Sequence, residues 1–158
     1  RVEAEITFHL KSALTSTPFT VEKVLDATDY VVASLEIVDS RIKDWKIKIV
    51  DTIADNASSG KYVLSSKRVD PRTIDLKEIK MEFFKNGEKI NEGMGKDALG
   101  DPAYCVAWLA ECLKTYNVML NAGEVILSGA LSAALPAVKG DHFEARFSEL
   151  GSVSVEFV

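Results

Sequence analysis

Cysteine is scarce in this sequence: two residues among 158, too few for a disulfide framework. Cys105 and Cys112 fall seven apart in a stretch that reads as a helix. Their Cα atoms would then stand about 10 Å apart, beyond the roughly 7 Å that a disulfide spans. They read as buried thiols, the usage expected in a reducing cytoplasm. Histidine is as sparse, with only His9 and His142, both expected on the surface. No apolar run approaches the roughly 20 residues that cross a bilayer, and nothing at the start has the form of a signal peptide. Basic residues are outnumbered, 19 Lys and Arg against 24 Asp and Glu, for a formal charge of -5. Phosphate neutralisation needs a clustered basic surface, so nucleic acid is not an expected partner, and neither is a membrane. Nucleophile elbow, P-loop and dinucleotide fingerprint are all absent, which leaves a Ser-His-Asp hydrolase without footing.

What is present suffices for one packed domain. Apolar residues make up 47% and charged residues 27%, a balance that supports a core and argues against disorder. Residues 2–10 alternate strictly, with Val2, Ala4, Ile6, Phe8 and Leu10 on one side and Glu3, Glu5, Thr7 and His9 on the other. That pattern predicts a half-buried strand. Thr20 ahead of Val21 reads as the cap of a short helix ending near Ala27. Strands are predicted at 29–39, 61–65 and 79–85. Asn86-Gly87 marks a type I′ hairpin returning through 89–94. A helix is expected at 47–54 and a longer one at 101–116, the second opened by Asp101-Pro102. Gly-punctuated strands follow at 124–128, 141–148 and 152–157. The predicted fold is α+β, a curved mixed β-sheet roll with peripheral helices, in a single domain over residues 1–158.

Four constellations are candidates for chemistry. Glu3 and Glu5 form an E-x-E pair on one strand face, Cα atoms about 6.6 Å apart, close enough for both carboxylates to meet one cation. A solvated strand face uses the same pattern. Glu36 stands among Leu35, Ile37 and Val38, where an unpartnered carboxylate is expensive to bury. Asp39-Ser40-Arg41 follows it, and Arg41 suits either a substrate carboxylate or a structural pair with Asp39 or Asp44. The Asp55-Asn56-Ala57-Ser58-Ser59-Gly60 loop can grip an oxyanion through hydroxyls and N–H groups, or simply turn the chain. Ser128-Gly129 after the 124–128 strand offers the same choice.

RVEAEITFHL, ATDYVVASLEIVDSRIKDWKIKIVDTIADNASSG and VILSGALSAALPAVKGDHFEARFSELGSVSVEFV together resemble the fumarylacetoacetate hydrolase superfamily, in its 2-keto-4-pentenoate hydratase and 4-oxalocrotonate decarboxylase branch. The resemblance covers almost the whole chain. It implies a roll in which three carboxylates, here Glu3, Glu5 and Glu36, hold Mg²⁺ or Mn²⁺. It further implies that Ser58 and Ser59 serve catalysis, that Asp39, Arg41 and Ser128 bind substrate, and that 2-hydroxypenta-2,4-dienoate is hydrated to 4-hydroxy-2-oxopentanoate in the breakdown of aromatics. Decarboxylation of 4-oxalocrotonate on the same scaffold is the alternative, as is a non-catalytic member that binds metal and an oxo-acid. Family chains carry an N-terminal portion with a proton-transfer lysine that this sequence lacks. The chain starts at Arg1 without Met, so the expectation is a truncated or processed chain, inactive or nearly so alone. A homo-oligomer is expected, since such a roll leaves strand edges uncovered, and a complex with a pathway partner enzyme is allowed.

Overall fold

Strict alternation in Val2–Leu10 produces β1, and its five apolar residues are all 0% exposed in the computed structural model, which describes residues 1–158. After it the chain turns through α1 (Val21–Ala27), whose Thr20 cap accepts the Lys23 N–H at 3.3 Å, and returns as β2 (Thr28–Val38). A 3-10 turn at Lys43–Trp45 leads to α2 (Ile49–Ala54) and β3 (Ser59–Leu64). Next come β4 (Lys80–Lys85) and β5 (Glu88–Met94), joined through Asn86 and Gly87 at φ 53° and 84°, the conformation that a type I′ turn demands. α3 (Pro102–Lys114) starts at Asp101, whose carboxylate accepts the Ala103 N–H at 2.8 Å. β6 (Val125–Leu127), β7 (His142–Phe147) and β8 (Gly151–Glu156) complete the chain.

The strands form two four-stranded sheets, ordered β3-β2-β1-β6 and β5-β4-β7-β8, and every ladder runs antiparallel. The expected strand-rich α+β roll with peripheral helices is present. Its core lies between the sheets, joining the apolar face of β1 to Met81 and Phe83 of β4 and to Phe143 and Ala145 of β7. The sheets approach closely where β5 meets the segment after β6, because a methyl on Gly93 would run into the carbonyl oxygen of Leu131. Cys105 and Cys112 are free thiols, and Cys105 is buried on α3. Burial pushes that thiol up to about 11, so it stays protonated and inert.

Three expectations change. β1 is buried on both faces, with Glu5 and Thr7 only 2% and 1% exposed. It lies between β2 and β6 at the centre of its sheet, and part of its polar face is bonded internally. Thr7 Oγ1 donates to Ser34 Oγ at 2.6 Å, and Ser34 Oγ donates to the Glu5 carbonyl at 3.0 Å. His9 is likewise half-buried, stacked on Tyr30 at 4.7 Å, whereas His142 is exposed as expected. The helix expected at 47–54 starts at Ile49, after Asp44 and Trp45 have taken left-handed conformations at φ 58° and 54°. It packs none of its apolar residues: Ile49, Val50 and Ile53 are 65–74% exposed.

Candidate metal centre

Register brings the three glutamates together. Antiparallel pairing sets Glu3 opposite Glu36 and Glu5 opposite Ser34. Residues directly opposite share a face, with Cβ atoms about 5 Å apart, and Glu5 follows Glu3 on that face by the two-residue repeat. One carboxylate oxygen from each of the three lies within 4.8 Å of the others. Glu5 is the buried member, while Glu3 and Glu36 are half-buried. Its Oε2 accepts the Gly129 N–H at 2.7 Å. Gly129 sits at φ 105°, a conformation that favours glycine. Ser128, one residue earlier, is 7% exposed, and its hydroxyl is buried without a partner.

The electrostatics of the trio favour a cation. Burial pushes the Glu5 carboxyl up to about 8 against the opposing pull of the Gly129 N–H, and the Glu36 and Glu3 charges add to the rise. Glu3 is raised for the same reasons, first by burial and then by Glu36. Three converging carboxylates with no sulfur or imidazole among them are hard oxygen donors, the set that suits Mg²⁺ or Mn²⁺. The residues therefore fit a divalent ion. None of the surface cavities is lined by these glutamates. The largest, about 780 Å³, lies across β4, β5 and β7 and is lined by residues such as Lys80, Glu82 and Arg146. Donor chemistry, rather than cavity size, identifies the centre.

The loop ahead of β3 borders the same face. Glu36 pairs with Tyr62 and Ile37 with Lys61, yet Val38 pairs with Ser59, because Gly60 is bulged out of the ladder. Without the bulge Ser59 would oppose Asp39 on the other face. With it, Ser59 stands across from Val38, two residues along from Glu36 and on its side. Only glycine suits the bulge, since a Cβ there would lie 2.9 Å from the Ile37 carbonyl oxygen.

Arg41, expected to grip substrate or to pair with Asp39 or Asp44, forms its ion pair with Asp55 rather than with either of those acids. Its Nε meets Asp55 Oδ1 at 2.6 Å, Nη2 donates to the Asp55 carbonyl at 2.6 Å, and Nη1 donates to the carbonyls of Asp39 and Ser59 at 3.0 and 2.9 Å. The guanidinium thus makes three hydrogen bonds and one ion pair within the chain, which tie the loop to the end of β2. Asp39 contributes through its backbone: its carbonyl takes the Arg41 donor, and its N–H donates to the Ser58 carbonyl at 2.8 Å. The partner Asp55 is the residue that sequence reasoning missed, because the pair is separated by 14 positions and lies across two loops. Asp55 Oδ2 accepts from Ser58 Oγ at 2.8 Å and from the Arg41 N–H at 3.1 Å. Burial alone would raise its carboxyl, but these donors and the guanidinium hold it below the usual range. Ser58, 3% exposed, thus directs its hydroxyl hydrogen at Asp55. Ser59 and the Asn56 carboxamide make no side-chain hydrogen bond within the chain, and they are the loop's available donors.

Comparison with known proteins bears on the fold and the family. The fumarylacetoacetate (FAA) hydrolase C-terminal family model matches residues 1–158. The 2-hydroxyhexa-2,4-dienoate hydratase of Comamonas testosteroni is 46% identical over 99% of this chain and 60% of its own length. The 2-keto-4-pentenoate hydratase of Paraburkholderia xenovorans is 48% identical over 99% of this chain and 58% of its own. Among solved structures, the 4-oxalocrotonate decarboxylase of Pseudomonas putida, complexed with magnesium and adipate, superimposes with a TM-score of 0.95 at 34% identity, covering 99% of this chain and 60% of that one. The chain thus spans about three fifths of the length of the relatives it matches.

Proposed function

The chain belongs to the fumarylacetoacetate hydrolase C-terminal family, and on that premise we propose that residues 1–158 form one metal-binding domain of a hydro-lyase that converts 2-hydroxypenta-2,4-dienoate to 4-hydroxy-2-oxopentanoate. The observation that carries this reading is the convergence of the Glu3, Glu5 and Glu36 carboxylates within 4.8 Å. Identities of 46% and 48% to hydratases, against 34% to the decarboxylase, favour addition of water over loss of CO₂. A role in aromatic degradation is part of the same proposal.

In this reading Glu3, Glu5 and Glu36 hold Mg²⁺ or Mn²⁺, with Glu5 fixed by the Gly129 N–H. The bound ion supplies electrophilic stabilisation of charge developing on the substrate's 2-oxygen. Ser59 and Asn56 orient the substrate's oxygens from the Gly60 bulge side, and the buried Ser128 hydroxyl serves from the Gly129 side. Ser58 and Asp39 act through the loop they brace. No residue among 1–158 is assigned the proton transfer. No helix is long and apolar enough to cross a membrane. Self-association is part of the proposal, supported by the exposed aliphatic residues of α2, and sedimentation at rising concentration reads it.

The full-length protein, loaded with Mg²⁺ or Mn²⁺, is offered 2-hydroxypenta-2,4-dienoate and 2-oxo-3-hexenedioate separately. Consumption of the first with formation of 4-hydroxy-2-oxopentanoate, abolished by a chelator, is the expected result. Release of CO₂ from the second would instead assign the decarboxylase reaction. Inertness towards both would leave a metal- and oxo-acid-binding protein. Ser59→Ala should weaken transition-state stabilisation by about 2–4 kcal/mol, read as a fall in kcat.

A further inference from the structure

The loop between α2 and β3 holds three consecutive non-glycine residues in the left-handed region, Asn56, Ala57 and Ser58, at φ 52°, 54° and 60°. Each such residue is strained, and a run of three persists only where its surroundings impose it. The imposing groups are the Arg41 guanidinium and the Asp55 carboxylate. Arg41 reaches the carbonyl on each side of the run, Asp55 at 2.6 Å and Ser59 at 2.9 Å, and ties both to Asp39 at the end of β2. Asp55 closes the loop from within through the Ser58 hydroxyl and the Arg41 N–H. The braced loop runs straight into the Gly60 bulge, which places Ser59 on the Glu36 side of the sheet.

We propose that Arg41 and Asp55 are positioning residues, a clamp that holds the 56–59 turn so that its donors face the ligand held by Glu3, Glu5 and Glu36. The proposal rests on the reading of that trio and turn as a substrate site. The clamp touches neither the ion nor the substrate. A guanidinium is required because one planar group must serve three carbonyls and a carboxylate at once, and a lysine ammonium cannot span them.

The variants Arg41→Lys, Arg41→Ala and Asp55→Asn, made in the full-length protein, are compared with wild type. Affinity for Mn²⁺ alone is followed by paramagnetic resonance of the free ion. Affinity of the Mn²⁺-loaded protein for oxalate, a two-oxygen anion, is followed by calorimetry, and turnover of the dienoate gives kcat and KM. Mn²⁺ affinity should stay within about threefold of wild type, since all three ligands remain on β1 and β2. Oxalate affinity should fall about tenfold or more and kcat/KM about 100-fold, the penalty of a donor misplaced by about 1 Å. Millimolar guanidinium should restore part of the oxalate affinity to Arg41→Ala and none to Arg41→Lys, whose ammonium fills the site. Wild-type oxalate affinity in all three variants would overturn the clamp. So would a loss of Mn²⁺ affinity equal to the loss for oxalate, which marks general unfolding of the face. Should Arg41→Ala fail to fold by circular dichroism, Arg41→Lys and Asp55→Asn carry the same comparison. If wild type is inert towards the dienoate, the hydratase reading fails, while a tenfold loss of oxalate affinity in the variants still supports the clamp.

Discussion

Glu5→Gln is expected to weaken Mn²⁺ binding by about 100-fold or more, because it removes a charged oxygen ligand while keeping size and shape. Of the three glutamates, Glu5 should show the largest loss. It is 2% exposed, so little water can replace the missing charge, and the Gly129 N–H fixes its carboxylate at 2.7 Å. A glutamine can still accept that N–H, so the ladder beside it is retained. Glu3→Gln and Glu36→Gln should weaken the ion in the same direction by smaller factors, since both side chains are half-buried and water can enter. Calorimetric titration reads all three, and unchanged affinity throughout would remove the centre.

The same residue makes the metal-free protein sensitive to base. Glu5 in the folded protein titrates near 8 against an ordinary 4.5, with burial as the chief cause. Between those two values the folded chain keeps a proton that the unfolded chain releases. Stability is therefore fully present below about pH 4.5 and is lost progressively as pH rises towards 8. The raised Glu3 carboxyl adds to the loss in the same direction. The expected loss is on the order of a few kcal/mol, since each tenfold difference in proton affinity between the folded and unfolded chain is worth about 1.4 kcal/mol. Thermal unfolding in the presence of a chelator should show Tm falling from pH 5 to pH 8. Mg²⁺ or Mn²⁺ should raise Tm more at pH 8 than at pH 5, because the ion stabilises the ionised form. Glu5→Gln should flatten the pH dependence and raise the metal-free Tm at pH 8. A substitution that strengthens the fold while removing the ion is the pattern of a site kept for function at the expense of stability. A flat wild-type profile would contradict it.

Much of this was readable in the sequence where a local rule applied. Period-two alternation placed β1 at its observed bounds, Thr20 placed the start of α1, and Asn86-Gly87 placed the hairpin. The E-x-E spacing made Glu3 and Glu5 a candidate pair because a strand repeats its face every two residues. Other features depend on pairing between distant segments. That Glu36 faces Glu3 follows from the β1–β2 register, which is set across α1 by packing and cannot be counted along the chain. The depth of Glu5 follows from the central position of β1, which comes from the order of the whole sheet. Arg41 was noticed for its charge and offered the nearest acids, Asp39 and Asp44, but the fold gives it Asp55. The Ser-Ser-Gly run suggested hydroxyl donors; the bulge at Gly60 puts Ser59 on the Glu36 side of the sheet, and the Asp55 bond engages Ser58.

The central claim is that one divalent ion binds among Glu3, Glu5 and Glu36. Diffraction from Mn²⁺-loaded crystals, recorded at the manganese absorption edge, tests it most directly. One strong anomalous peak is predicted among the three side chains, about 2.0–2.3 Å from a carboxylate oxygen of each. No peak there in crystals soaked to saturation, or a peak held by other residues, would contradict it.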